Sequence, residues 1–402
     1  KEMAQVALAK VVRPGDWRSG YYRDQTLMMA RGLLNVKAYF AALYAHADVE
    51  ADPTSGGRQM GGHFATRLLH EDGSWKDLMA DFNSSADVSP TASQMPRLLG
   101  LAQASKVYRS LPELADVMTG FTQNGDEIAV GTIGDASTSE GMFWETMNAA
   151  CVLEVPMLMS VWDDGYGISV PKKYQTVKES ISTALAGFQR EEATNGLVIY
   201  RVRGWDYPQL IATYEEAAKR CREDHVPVLV HVEEVTQPQG HSTSGSHERY
   251  KSEERLAWAQ EFDCLHQMER FLMAEGAATE EELAAIRKAA KKSVRTEQKE
   301  AWASFRNALD ADRDSAVAAL TDVDQEGAES LAAMSDASRA DMAHAVRMAL
   351  ASSAGEDSEE RRALGAWLDN FDRDNEQRYS ATLHSDQSDS ALRVSPVAAS
   401  YD

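Results

Sequence analysis

Cysteine is scarce in this chain: Cys151, Cys221 and Cys264 are three among 402 residues. They form no spaced framework, so a disulfide scaffold is excluded and a reducing, cytoplasmic compartment is expected. Positive charge is also in short supply. Lys and Arg number 41 against 63 Asp and Glu, a formal net charge of −22. Nucleic acid and anionic membranes each require a positive footprint, so neither is expected as a main partner. The acidity also suits a salty interior, where self-repulsion is screened. No apolar run approaches the ~18 residues of a membrane-spanning helix. No charged-then-apolar signal segment opens the chain. No Gly-x-Gly-x-x-Gly follows the first strong strand, which weighs against a nicotinamide-binding sheet. What is present is a 43% hydrophobic content, enough for a sizeable core. The length suits two or three domains, or one large α/β domain with an appendage.

The chain opens without Met, already inside an amphipathic run of Val6, Ala9, Lys10 and Val11 that has no cap before it. The natural start is therefore expected upstream. Arg13-Pro14-Gly15-Asp16 ends that run, since proline forbids continuation and glycine permits the turn. Leu27, Met28, Ala30, Leu33, Leu34 and Ala38 fall near 3.6 spacing and predict one long helix over 24–45. Residues 50–88, rich in Gly, Asp, Ser and Asn, read as loop, and so long a loop is usually functional or disordered. A helix is expected over 90–109. Short apolar runs at 127–133, 156–162, 197–203 and 227–233 then predict strands, with helical segments at 140–153, 178–187 and 206–223 between them. Strands apolar on both faces and alternating with helices specify an α/β fold: a doubly wound parallel sheet flanked by helices. After about residue 250 the strands stop, and 252–320 reads as helical. Residues 321–402 carry 17 acidic against 7 basic side chains. Two helices are expected there, at 337–352 and 358–370, followed by a polar stretch of little core-forming capacity. The expected division is a domain over 1–320 and a helical acidic C-terminal appendage or linker over 321–402.

In a doubly wound sheet, ligands bind just beyond the carboxyl ends of the strands. Two predicted strand ends carry unusual chemistry: Gly134-Asp135-Ala136-Ser137-Thr138-Ser139-Glu140-Gly141, and Asp163-Asp164-Gly165-Tyr166-Gly167. Asp135 and Asp164 are separated by about one strand–helix–strand unit, a spacing that can bring two carboxylates to one edge of the sheet. Hard oxygen ligands suit magnesium or calcium, and magnesium typically uses one or two carboxylates plus phosphate oxygens. A helix starting near Thr138 would offer free N–H groups to a phosphate. The same residues also read as ordinary turns and helix caps.

With their surroundings these motifs carry a resemblance. Tyr21-Tyr22-Arg23-Asp24, Gly57–His63, Ser89-Pro90-Thr91-Ala92-Ser93-Gln94, Gly134–Gly141, Asp164–Ser169 and Gly240–Ser244 stand in order over roughly residues 1–300. Together they resemble the α subunit of the thiamin diphosphate-dependent first component of 2-oxo acid dehydrogenase complexes, particularly the branched-chain type. The resemblance implies the thiamin diphosphate-binding fold. It implies oxidative decarboxylation of a 2-oxo acid, branched-chain or pyruvate, with acyl transfer to a lipoyl-bearing acyltransferase core. It further implies that a β subunit, or a fused β part, completes the site by supplying a carboxylate to the cofactor ring, in a heterotetramer of two α and two β parts.

Roles follow residue by residue. Asp135 and Asp164 match side-chain ligands of Mg2+, and Tyr166 matches a backbone-carbonyl ligand. Tyr22 and Arg23 match a diphosphate-contacting pair, Arg23 as a fork donor. Ala136 and Ser137 lie beside the diphosphate. Ser89 and Thr91 match the wall around the cofactor rings. His241 matches a loop histidine near the reacting end of the cofactor and, with Ser89, is the catalytic candidate. Ser93 and Gln94 match a K+ site of some relatives, and Gln59 and His63 a substrate entrance. Ser242 and Ser244 match a loop phosphorylated in organellar relatives, where a phosphate would repel the diphosphate.

Three departures weaken the cofactor site as expected from the family. Ala136 replaces a glycine, Asp164 replaces the usual Asn, and Trp162 stands where relatives often hold the diphosphate with an arginine. Trp162 and Ala136 favour a competing reading as a degenerate, non-catalytic scaffold subunit. A transketolase-like enzyme is the other alternative, disfavoured by the few histidines in the matched loops. A chain starting mid-helix and ending in an acidic segment also suits a piece of an α–β fusion.

Overall fold

The computed structural model describes residues 1–70, 72–241 and 246–380. Ser242 and Ser244 lie outside the described residues. The chain divides into two compact units. One holds residues 1–35, 62–68 and 75–290; the other holds 36–61, 69–74 and 291–402.

The first unit is built on a parallel six-stranded sheet. Its strands are β1 (Trp17–Ser19), β2 (Asn83–Ser84), β3 (Ala129–Gly134), β4 (Met157–Trp162), β7 (Val198–Arg203) and β8 (Val228–Glu233), in the order β2-β1-β3-β4-β8-β7. Strands β5 (Tyr166–Gly167) and β6 (Val170–Pro171) form a small antiparallel pair. This is the expected α/β architecture. Side chains on a strand alternate between faces, and β4 shows what each face meets. Met157, Met159 and Val161 join a core with Met95 and Leu98 of helix Gln94–Ser110 and with Phe143 and Met147 of helix Gly141–Leu153. Ser160 and Trp162 point the other way, onto Tyr214 Oη of helix Tyr207–Asp224, at 2.7 and 3.4 Å. Gly131 of β3 permits the close approach of the first layer. A Cβ there would meet Leu98 Cδ2 at 2.2 Å and Met159 Cε at 2.5 Å.

Several elements differ from expectation. The helix over 24–45 is two, Gln25–Ala30 and Val36–Leu43; Gly32 between them takes a φ of +72°. The segment 178–187 keeps only a four-residue helix, Ile181–Ala184, between 3-10 turns. The helix expected near Thr138 begins at Gly141, after a 3-10 turn over Ala136–Ser139. β1 and β2 escaped the sequence because they are three and two residues long and β1 carries a charge, Arg18, at its centre.

The second unit is helical. Helices Gln325–Ala333, Arg339–Ser352 and Glu359–Ser380 close a core of Leu320, Leu331, Met342, Val346, Leu364 and Phe371. The two helices expected at 337–352 and 358–370 are present, and the second runs on to Ser380, bringing Phe371 into that core. The acidic segment also gains the unexpected helix Gln325–Ala333.

At the amino end of the sheet, Asp16 is fully buried and bonded on every side. It accepts the Arg13 and Ile128 amides at 2.8 and 2.9 Å and bonds from Nη1 and Nη2 of Arg222 at 2.9 and 2.8 Å. Removing one partner of a buried pair strands the other charge. Asp16→Ala is expected to lower unfolding free energy by about 3–5 kcal/mol, read by denaturant titration. Nearby, His225 gives its ring Nε2 to the Gly125 carbonyl at 2.8 Å. Burial, reinforced by Arg109, lowers its pKa to about 4. Between that value and the unfolded value of about 6.5 the unfolded chain binds the extra proton. Stability is thus complete above the unfolded value and falls as pH drops towards 4. Thermal melts should show a smaller acid loss over this window in His225→Asn than in the wild type.

Candidate active site

Connections from β1 run to β2 on one side of the sheet, while β3 leads to β4 on the other. The chain thus changes direction between β1 and β3, and a crevice opens at the carboxyl ends of strands at such a point. Gly134 pairs in register with Trp162. The next residues, Asp135 and Asp163, therefore leave adjacent strands at one level, with Asp164 one residue on.

A cavity of about 350 Å³ sits there. It is lined by Tyr21, Tyr22 and Arg23 after β1, Ser89 and Thr91 after β2, Asp135, Ala136 and Ser137 after β3, Tyr166, Gly167 and Ile168 beyond β4, and by His241 and Lys1. A larger cavity, about 570 Å³, lies at the amino end of the sheet near Arg13, Glu127 and Arg222. Its buried charges are already bonded: Glu127 by Thr122 at 2.8 Å and by the Gln123 amide, Arg222 by Asp16. Chemistry, not volume, distinguishes the first.

Asp135 is buried, and its Oδ2 has no hydrogen-bond partner. Burial, then the carboxylates of Asp164 and Asp163, push its pKa well above the usual carboxylate range. Asp164, also buried, accepts the Tyr166 amide on Oδ1 at 3.1 Å. Its Oδ2 lies 3.4 Å from Lys1 Nζ and 3.3 Å from His241 Nε2. Arg255 donates to the Asp164 carbonyl at 3.0 Å. Asp163 points away from the cavity chemistry: Lys172 Nζ at 2.9 Å and His231 Nε2 at 3.1 Å hold its carboxylate. Burial raises its pKa, but these two partners outweigh that and hold it below the usual range.

Arg23 donates to the His241 carbonyl at 3.0 Å and lies 5.2 Å from the Tyr22 ring centroid. It thereby ties the loop after β1 to the distant His241 loop. Burial, with Lys1, Arg23 and Lys251 nearby, lowers the His241 pKa against the pull of Asp164. Its Nδ1 has no partner. His63 Nε2 and Ser89 Oγ are 2.9 Å apart, and the His63 ring lies 5.8 Å from that of Tyr22. Ser93 Oγ donates to the Pro90 carbonyl at 2.7 Å, and Gln94 Nε2 donates to that of Thr132 at 3.0 Å. Gln59 belongs to the second unit, its amide on Ser55 Oγ at 3.1 Å.

Of the candidates, Asp164, His63, Gln59, Ser93 and Trp162 are not among the cavity-lining residues. Trp162 is fully buried under Tyr21, with ring centroids 6.2 Å apart, and does not line the cavity. Strand alternation is the reason: position 162 faces the Tyr214 layer. Three residues were not singled out from the sequence. Tyr21 places a buried, unpartnered hydroxyl at the cavity. Burial pushes its pKa well above the phenol range, so it stays a neutral donor. Lys1 and Lys172 bring cations to adjacent carboxylates. Tyr21 lay inside a recognised motif, but neither lysine had a local signal.

The donor set suits an anionic ligand carried on a hard cation. Among the described residues, no group of three or more His, Cys, Asp or Glu side chains is arranged to hold a metal. A cation here would draw on two carboxylates and on oxygens brought by the ligand, as magnesium does.

Residues 1–308 match the dehydrogenase E1 component family. The chain belongs to it. It is similar to the 2-oxoisovalerate dehydrogenase α subunit of Bacillus subtilis, 28% identical over 70% of this chain and 73% of that protein. It is 27% identical to the mitochondrial 2-oxoisovalerate dehydrogenase α subunit of Caenorhabditis elegans, over 74% of this chain and 60% of the relative. A shorter stretch, 33% of the chain and 35% of the relative, is 35% identical to the 3-methyl-2-oxobutanoate dehydrogenase α subunit of Mycobacterium tuberculosis. This E1 component is therefore of the α type and branched-chain-like. The site is electrostatically loaded, because Asp135 is buried under the influence of the Asp164 carboxylate with no donor on its Oδ2. Asp135→Asn should raise the stability of the ligand-free chain, on the order of 1 kcal/mol, in calorimetric melts.

Proposed function

We propose that this chain is the α part of a thiamin diphosphate- and magnesium-dependent E1 enzyme. The reaction is oxidative decarboxylation of a branched-chain 2-oxo acid, with acyl transfer to a lipoyl group on an acyltransferase core. The observation that carries this reading is the Asp135 carboxyl group, its Oδ2 without a partner, at one end of a cavity whose other walls bring Arg23, Tyr21 and His241. Unpaired buried charge is costly unless a counterion arrives.

Asp135 and Asp164 would hold Mg2+ with the Tyr166 carbonyl. Tyr22, Arg23, Ser137 and the Tyr21 hydroxyl would contact the diphosphate, with Ala136 against it. Ser89 and Thr91 would bound the cofactor rings, and His63, beside Ser89, the substrate entrance. K+ near Ser93 and Gln94 belongs to the same proposal. The bound cofactor supplies a carbon nucleophile and an electron sink for loss of CO2. The chain's own work is binding, orientation and exclusion of water. Arg23 holds the His241 loop over the cavity, and His241, kept neutral by burial, offers Nδ1 as a proton acceptor. Completion of the cycle requires a β part, and the setting is cytoplasmic.

The chain assembled with its β partner should bind thiamin diphosphate saturably in a magnesium-dependent titration. Arg23→Ala should weaken that binding by about 1.5–3 kcal/mol, the worth of a charge-assisted hydrogen bond, and Tyr21→Phe by less. Magnesium should raise the melting temperature of the wild type with cofactor and leave Asp135→Asn unmoved. Absence of saturable binding would sink the proposal and favour a scaffold subunit.

A further inference from the structure

Arg18 is the one charged residue of β1, and its burial is complete. A guanidinium cannot shed its proton, so it must be met by partners in place. It is met by four. Nε and Nη2 reach Asp24 Oδ2 at 2.8 and 2.6 Å, and Nη2 reaches Asp87 Oδ1 at 2.8 Å. Nη1 donates to Ser84 Oγ at 2.7 Å, and Nη2 to the Tyr21 carbonyl at 3.0 Å.

These partners do not belong to one element. Asp24 closes the loop after β1: its Oδ2 accepts the Tyr21 amide at 3.3 Å, and its own amide bonds the Tyr21 carbonyl at 3.1 Å. Asp87 stands just before Ser89. Its Oδ2 accepts the Phe64 amide at 2.9 Å, and its amide bonds the Phe64 carbonyl at 2.8 Å. Phe64 follows His63, whose ring meets Ser89. One buried fork therefore joins the loop bearing Tyr21, Tyr22 and Arg23 to the segment bearing Ser89 and to the segment bearing His63. A second guanidinium, Arg97, braces the same junction from Ser19 Oγ at 3.2 Å.

We propose that Arg18 is a positioning residue that holds these three segments in one register, presenting Tyr22, Arg23 and Ser89 to the cofactor. That last clause rests on the function proposed above. A lysine keeps the charge but replaces the planar fork with a single point, which cannot bond Asp24, Asp87, Ser84 and the Tyr21 carbonyl together.

The test is hydrogen–deuterium exchange on the whole chain, with cofactor titration beside it. Arg18→Lys should speed exchange of the Tyr21, Asp24, Phe64 and Asp87 amides together, by about tenfold or more, while β3, β4 and β8 keep their protection. Asp87→Asn, a milder change, should loosen Phe64 and Asp87 and leave Tyr21 and Asp24 protected. The thiamin diphosphate dissociation constant of Arg18→Lys should rise about tenfold, at a temperature where its melt shows it folded. Unchanged exchange at any of the three segments, or faster exchange spread evenly over the sheet, overturns the positioning role. A wild type that binds no cofactor even when assembled with its β partner overturns the function proposed above, and the exchange pattern still decides Arg18.

Discussion

A carboxyl group taken out of water with no donor on one oxygen must keep its proton or meet a cation, and Asp135 is in that state. Everything else at the site can be read as an answer to it. Asp164 brings a second carboxylate to the same end of the sheet, which worsens the repulsion and sharpens the demand for a hard cation. Asp163 could have worsened it further, but Lys172 and His231 draw its charge to the other side. Asp135 is thus left lining the cavity with Asp164 at the neighbouring strand end, and two carboxylates suit magnesium shared with phosphate oxygens.

Sheet geometry delivers this arrangement. Parallel pairing aligns Gly134 with Trp162, so the residues after each strand emerge side by side. The change of direction between β1 and β3 parts the flanking loops and leaves room above the strand ends. The loop after β1 then supplies what the strand ends lack, a phenol and a guanidinium. The same loop is anchored below by Arg18, so a charge invisible from the cavity governs the groups that line it.

How much of this was legible depended on the range of the signal. The four long strands, the helices between them and the two Gly-Asp and Asp-Asp-Gly ends were readable, because apolar runs and turn residues are local. β1 and β2 were not: five residues in all, with Arg18 at the centre of one, offer no periodicity. Asp135 and Asp164 were recognised by their spacing, but the absence of a donor to Asp135 is a property of packing. Trp162 was misplaced for a related reason. Its position at a strand end was right, yet which face it occupies depends on the alternation along β4, and that sends the indole to Tyr214. The single helix expected over 24–45 failed at Gly32, whose positive φ outweighed a continuous apolar stripe.

The burial of Trp162 bears on how the site balances charge. A residue at the end of β4 that could have offered a cation instead fills the layer between sheet and helix. The cations near the carboxylates come from elsewhere in the chain: Arg23 from the loop after β1, Lys1 before the first helix, Lys251 beyond β8. Loop-borne cations are held less rigidly than a strand-borne one, since loops open at lower free energy than central strands. Such a site places its negative groups on rigid strands and its positive groups on segments that other contacts must steady. That division gives the Arg23 bond to the His241 carbonyl, and the Arg18 fork beneath it, a weight beyond their own hydrogen bonds. They convert mobile positive charge into a fixed field around the cavity, and preorganised charge is what an anionic ligand reads.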